Sequence, residues 1–476
     1  MRAASELVLL ALVAGCSPTR FEEAPCESHA QCREAFGFGA VCGKSGLCER
    51  TPLIARCDRT YPEDLFSRID RYRDAVVVGT LMDRSSPAHL VRERAARLAV
   101  KQANDAGGLD GRPLGLVSCD TEENAALDGY DRTQASVIAA RYLARLLGAA
   151  TVIGPCASGD VEQVWQGLRA TGTVILTPSA TSPLLSQLEP EASEARPGML
   201  WRMAPSDALQ GRLVAEDLLA RNVRQVAVLR EPGPYGEGLA SVFSEHFSAG
   251  GGSVEIAAIA SDGQIPAATA QAAAGTAPEV LFISSQQDWI VKILDAAARE
   301  AGFAQKSIFL TDAAANQAVL DGAAAAAPLY PRIRGTRPAP RDARDYVYAS
   351  FVADYRAEYG ADPTGTAFAA HAYDAAWLAL YGSAWSVLEE RRLTPLGAAR
   401  GLRHLGTGPA TPIIPASWLR VIAAFRDGQS IDVSGASGEL DFDPVTREVA
   451  APVEVWTVSG NPPRIGPASH EASPQN

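Results

Sequence analysis

Lysine is nearly absent: Lys44, Lys101, Lys292 and Lys306 are the only four, and the chain carries a net charge of −12. Nothing supplies the basic stripe that phosphate neutralisation demands, which excludes nucleic acid as a partner. Past residue 15 no apolar run approaches the ~18 residues of a membrane span. The six histidines are scattered, with no H-E-x-x-H among them, and no G-x-S-x-G turn occurs. A zinc hydrolase would therefore lack its ligands, and a serine hydrolase its strained nucleophile. No nucleophile with a tuned acid–base partner stands out, so the expectation is a protein that is not an enzyme and has no cofactor or metal. What the chain does have is length: 476 residues, 47% of them hydrophobic, enough for two or three domains.

The amino terminus sets the compartment. Arg2 supplies a positive end, residues 7–13 a short apolar stretch, and the segment closes on Leu12-Val13-Ala14-Gly15-Cys16. This resembles the lipobox of bacterial lipoproteins, which implies lipidation at Cys16 after cleavage and an envelope location facing the periplasm or the exterior. Glu6 departs from the pattern, and a plain secretory peptide that contains a cysteine is the rival reading. Export makes the remaining cysteines oxidisable. Cys26, Cys32, Cys42 and Cys48 form C-x5-C-x9-C-x5-C in a short Gly-rich stretch, which reads as a knot of two disulfides with open connectivity. A zinc knuckle fits less well, because the spacing is not C-x2-C. Cys119 and Cys156 stand at the carboxyl ends of expected strands and form the better pair among the rest, which leaves Cys57 without a place.

From residue 74 short β-rich runs alternate with amphipathic helical stretches. Strands are expected at 75–82, 114–119, 151–154 and 173–177, then at 225–231, 254–259, 279–284 and 307–311. Helices are expected at 90–106, 133–147, 208–221 and 288–301. Such alternation means βαβ units and parallel sheets covered on both faces. Two successive sets mean two doubly wound α/β lobes. Sheets of this kind take ligands at the carboxyl ends of their strands. Those ends carry Asp83-Arg84-Ser85-Ser86, residues 155–160, residues 178–183, residues 234–238, residues 285–288 and Asp312.

At these strand ends the chain resembles the type I periplasmic binding proteins, above all the branch that binds leucine, isoleucine and valine for ABC importers. The resemblance runs from about residue 75 to 458. It rests on Val152-Ile153-Gly154-Pro155 with Ser158, and on Thr177-Pro178-Ser179-Ala180-Thr181-Ser182-Pro183. Further along come Trp201-Arg202-Met203-Ala204-Pro205-Ser206-Asp207 with Gln210, Tyr235-Gly236-Glu237-Gly238, Tyr373-Asp374-Ala375 and the stretch 435–442. It implies a small ligand held between two lobes that close about a hinge of three crossings. It also implies that Ser158 and Thr181 hold a ligand carboxylate, that Ala180 offers a carbonyl to an ammonium group, and that Tyr235 enters from the second lobe. Asp312 would pair with the ammonium. Gln286-Gln287 stand where amino-acid binders often carry tyrosines, which makes that wall more polar and places Gln287 in the site. Arg84 is a loop charge within reach of a second ligand carboxylate. Taken singly, Ser158 and Asp312 also read as helix caps.

The expected organisation is a signal segment at 1–16 and a cysteine-rich linker at 17–73. Lobe 1 would comprise 74–204 with 338–408, lobe 2 would comprise 205–337 with 409–466, and a tail without structure would follow at 467–476. Pro205, Pro338 and Pro409 would mark the crossings. The implied function is capture of a small amino acid or related polar zwitterion for an ABC permease. A sensor or scaffold module of the envelope is the alternative.

Overall fold

The computed structural model describes residues 24–124 and 126–468; the signal segment with Cys16 and the tail beyond 468 lie outside the described residues. Two sheets organise the chain. The first has six strands in the order Arg59–Tyr61, Leu114–Asp120, Val76–Met82, Thr151–Ile153, Val174–Thr177, Leu200–Arg202, parallel except for its first edge. The second has seven, in the order Ser253–Ala258, Gln225–Arg230, Glu279–Ile283, Ser307–Leu310, Ile333–Pro338, Val453–Ser459, Arg464–Pro467. Its first five strands are parallel and its last two antiparallel.

All eight expected strands form, within a residue or two of their expected ends. Every residue of Val76–Met82 is buried, as expected of a strand with helices on both faces, and this is why such segments read as unbroken apolar runs. Helices Pro87–Asp105 and Ala369–Glu389 pack on one face of the first sheet, and Arg132–Arg141 with Ser158–Leu168 on the other. The second sheet is covered by Asp207–Ala220 and Pro234–Ala249 on one side, and by Ile265–Ala274 and Gln287–Arg299 on the other. In each sheet the chain reverses winding direction beside the first of the parallel strands, Val76–Met82 in one and Gln225–Arg230 in the other. The loops at those two switch points face each other across a cleft.

Three expectations are corrected. The Cys119–Cys156 pair does not form. Cys119 bonds Cys57, and Cys156 is a buried free thiol. The reason is the two-residue period of a strand: Val117 and Cys119 point to the face that also holds Cys57, whereas Cys156 packs in the cluster on the opposite face. The linker expected at 17–73 ends earlier, because Arg59–Tyr61 joins the first sheet and residues from Leu65 onward enter its core. The third crossing is not at Pro409. Trp418, Val421, Ile422 and Phe425 pack in the core against Ala369–Glu389, and the Trp418 Nε1–H donates to the Gly108 carbonyl at 2.8 Å. The chain enters the second sheet only at Val453–Ser459.

The four amino-terminal cysteines form two disulfides, Cys26–Cys42 and Cys32–Cys48, around helix His29–Phe36 and a hairpin of Ala40–Cys42 with Cys48–Arg50. No helix among the described residues is long and apolar enough to cross a membrane.

Candidate functional site

The cleft has a small inner chamber of about 40 Å³ and an outer one of about 380 Å³. Ser158, Tyr235, Gln287 and Asp312, four of the six expected site residues, line the inner chamber; Ala180 and Thr181 do not.

Ser158 is the first residue of helix Ser158–Leu168, one position past the cap, which is Ala157. Its hydroxyl accepts the Ser182 N–H at 3.3 Å, and Ala157, Ser158 and Asp160 line the chamber at the open end of the helix. The turn before it is made by Gly154, whose φ is +93° and whose missing side chain would lie 2.5 Å from the Leu81 carbonyl oxygen. Only glycine brings this loop so close to the neighbouring strand.

The loop after Val174–Thr177 turns its residues differently from expectation. The Ala180 N–H donates to Thr177 Oγ1 at 3.2 Å. Thr181 is buried beside Asp207, but its hydroxyl completes no well-formed hydrogen bond among the described residues. Ser179 is the residue of this loop that lines the chamber. Its hydroxyl donates to the Cys156 carbonyl at 3.1 Å and accepts Arg92 Nη1–H at 3.2 Å.

From lobe 2, Tyr235 begins its side chain at the first turn of helix Pro234–Ala249, and its hydroxyl donates to Asp312 Oδ1. The Ala313 N–H donates to the same oxygen at 2.9 Å, and Oδ2 receives no hydrogen bond among the described residues. Burial pushes the Asp312 carboxyl above the usual carboxylate range, while the Tyr235 hydroxyl, the Ala313 amide and the Arg92 charge pull it back. Behind it, burial and the Asp312 charge hold Asp207 well above that range, although Thr181, Gln210 and Arg202 oppose the shift. Burial, aided by both carboxylates, keeps Tyr235 protonated and hence a donor. Gln287 opens helix Gln287–Arg299, and its Oε1 accepts the Ser86 hydroxyl at 3.2 Å, a direct bond between the lobes. A second such bond runs from Ser182 Oγ to the Pro234 carbonyl at 2.6 Å.

Sequence reasoning missed several residues that line or brace the cleft. Arg92, in the second turn of helix Pro87–Asp105, lines the inner chamber, as does His89 one turn earlier. Burial, with Arg92 and Arg132 nearby, drives His89 well below the ordinary imidazole range, so it sits in the wall neutral. Arg132 lines both chambers and pairs with Asp160 at 3.1 Å. Glu231 directly follows strand Gln225–Arg230 and accepts from Ser284 Oγ at 2.8 Å, Ser285 N at 3.0 Å and Ser285 Oγ at 2.7 Å, which stiffens the loop at the second switch point. Arg84, expected within reach of the ligand, is instead consumed by Glu93 at 3.2 Å and Asp58 at 2.7 Å. One sequence signal points to Glu231: a carboxylate directly at a strand end. None points to Arg92, which sits in a Val-Arg-Glu-Arg run typical of a solvated helix face.

A family model described as periplasmic binding protein matches residues 75–411. A Halobacterium salinarum protein named as the chemotactic signal transduction system substrate-binding protein BasB is 26% identical over 78% of this chain and 85% of its own length. Among solved structures, the branched-chain amino acid transporter substrate-binding protein LivJ of Streptococcus pneumoniae, in complex with isoleucine, superposes with a TM-score of 0.63 at 18% identity. That superposition covers 83% of this chain and all of LivJ. A solute-binding protein from R. palustris in complex with benzoate gives 0.61 at 18% identity, covering 83% of this chain and 96% of its own. The family model covers most of the chain, with the loops that meet at the two switch points, and the chain belongs to the periplasmic binding protein family, of type I.

Proposed function

We propose that this chain is a solute receptor outside the cytoplasm that captures a small amino acid or related polar zwitterion between its two lobes. Held at the membrane through Cys16, it hands the ligand to an ABC-type permease. The observation that supports this best is the convergence of Ser158 from one lobe with Tyr235, Gln287 and Asp312 from the other around one chamber. A hydroxyl at a helix end suits a carboxylate, and a carboxylate with a free oxygen suits an ammonium. The outer chamber leaves room for a side chain between Gln286, Gln287 and Lys292. No chemical conversion of the solute belongs to this reading.

The test is a thermal-shift screen against amino acids, their amides and small carboxylates. A ligand at 100 times its dissociation constant adds about 2.7 kcal/mol of stability. Asp312→Asn should then weaken any amine-bearing ligand by about 1.5–3 kcal/mol, the range for a charged hydrogen bond. Unchanged affinity removes Asp312 from the clamp.

A sensory role is the second reading, and the match to a chemotactic substrate-binding protein favours it. Uptake of the radiolabelled ligand by cells with and without this chain separates the two. Loss of uptake supports transport, and intact uptake with a lost behavioural response supports sensing.

A further inference from the structure

Four arginines are almost wholly buried: Arg56, Arg92, Arg202 and Arg447, at 3, 4, 2 and 3% exposure. Three are neutralised by a carboxylate. Arg56 meets Asp128 at 2.5 Å, Arg447 meets Glu189 at 3.3 Å, and Arg202 pairs with Glu448. Arg92 forms no ion pair within 4.0 Å among the described residues. Its guanidinium has only neutral partners: the Ala367 carbonyl at 3.2 Å, Ser179 Oγ at 3.2 Å, and the face of the Phe368 ring at 5.1 Å from the centroid. The neighbouring Glu93 carboxylate is turned away to Arg84 and Arg59. Asp312 feels the Arg92 charge across the chamber without pairing with it, and its Oδ1 is taken by the Tyr235 hydroxyl and the Ala313 amide. The imidazoles of His89 and His371 also face this charge, and burial keeps both neutral. A buried permanent cation without a counter-ion is costly unless a ligand supplies one.

We propose that Arg92 is the seat of the ligand's carboxylate, so the solute class is a carboxylic acid anchored at lobe 1 by a guanidinium, with any amino group directed to Asp312. This deepens the solute-capture reading and rests on it. It moves the anion contact from Thr181, which is turned to Asp207, to a side chain that forms bidentate bonds with a planar anion. Ser179, which accepts from Nη1, and Phe368, whose ring lies against the guanidinium, act as positioning residues.

The experiment is calorimetric titration of the full chain, and of its R92M and R92K variants, with four sets of probes. These are L-serine, L-glutamine and L-glutamate; the amides of the same acids; the corresponding decarboxylated amines; and benzoate as a carboxylate without an amine. Thermal melting of each protein without ligand accompanies the titrations. Wild type should bind at least one free acid and reject its amide and amine. R92M should lose roughly 10- to 150-fold in affinity, the span of a charged hydrogen bond, while R92K retains part of it. The melting temperature of empty R92M should hold or rise, since an unpaired buried charge is removed.

Amino-acid binding with equal affinity in R92M, together with a fall in its melting temperature, makes Arg92 a purely structural residue and overturns this inference alone. Arg92-dependent binding of benzoate with no amino acid bound upholds the carboxylate seat and overturns the amino-acid reading. A wild type that binds none of the acids overturns both. If R92M fails to fold, equal affinity of R92K and wild type for free acid and amide alike overturns the seat.

Discussion

Replacing Gly238 with alanine puts a methyl group where the two lobes touch. Gly238 lies inside helix Pro234–Ala249 of lobe 2, and a Cβ built on it falls 2.7 Å from Ser182 Oγ and 3.0 Å from Pro183 Cδ, both on lobe 1. Ser182 cannot simply swing away, because its hydroxyl is tied to the Pro234 carbonyl at 2.6 Å and to the Leu184 amide at 3.3 Å. The proline ring has no alternative position either. An overpacked contact of this kind costs about 1–3 kcal/mol. The cost falls only on the arrangement in which the lobes meet. Within lobe 2 the same change favours the helix by about 1 kcal/mol, since glycine is a poor helix former. The two effects therefore separate: ligand affinity should fall roughly 5- to 150-fold, at 1.4 kcal/mol per factor of ten, while the melting temperature of the empty protein holds or rises. Titration calorimetry reads the first and calorimetric melting the second, with small-angle scattering to report the larger radius of the separated lobes. In a double-mutant cycle, Ser182→Ala should recover part of the loss, because it removes the nearer of the two obstructing atoms. Full affinity in G238A with an unchanged radius would refute the claim that capture brings these two surfaces together.

Further outcomes follow from the same contacts. Removing Cys57–Cys119 as paired serines should cost about 4 kcal/mol, the chain-entropy value for a closed loop whose ends are 62 residues apart; a loss under 1 kcal/mol in denaturant titration would show that the sheet edge holds itself. Burial raises Asp374 to about 6, against donors from Ser437 and Ala436. An acid raised on folding stabilises below its unfolded value and loses that stability as pH rises through the folded value. Wild type should therefore gain about 2 kcal/mol over Asp374→Asn on going from pH 7 to pH 4, and a difference that does not change with pH refutes it. Cys156 is the one free thiol among the described residues and lines the inner chamber. A small thiol reagent should react with it slowly, and saturating ligand should stop the reaction; equal rates with and without ligand would place the ligand elsewhere.

What was legible in the sequence follows from which forces are local. The strands read clearly because a strand covered on both faces is dominated by β-branched and apolar residues with few polar ones, as in Val76–Met82, where Thr80 is the one polar side chain. The loops that end those strands were legible for the same reason; the resemblance to the periplasmic binding proteins picked out Ser158, Tyr235, Gln287 and Asp312 within them, and these four line one chamber. Arg92 was not legible, because the burial of a charged helix residue is decided by what packs over it. Here the cover includes Ala367 and Phe368, which lead into helix Ala369–Glu389 far along the chain. The third crossing was misplaced because proline marks extended backbone wherever it occurs. The core positions of Trp418 and Phe425, which hold 418–449 on lobe 1, are set by tertiary packing that periodicity does not encode. The Cys57–Cys119 bond escaped because residues 55–61 offer only a short 3₁₀ turn and a three-residue strand. Neither is long enough to carry a pattern.

The cysteine module has a mechanical consequence. It is bolted to lobe 1 and to nothing else described: Arg33 donates to the carbonyls of Arg145 and Leu146 at 3.0 and 2.7 Å, capping the carboxyl end of a helical segment. Phe38 meanwhile packs against Phe66 and donates its amide to Arg73. Two cross-links prevent the module from unravelling under load. A pull applied ahead of residue 24 therefore travels through the module into the first sheet and stops there. Lobe 2 carries no part of that load and hangs from its three crossings as the swinging jaw. A tether at the amino end thus fixes the bearing of lobe 1 while leaving the jaw's stroke unhindered.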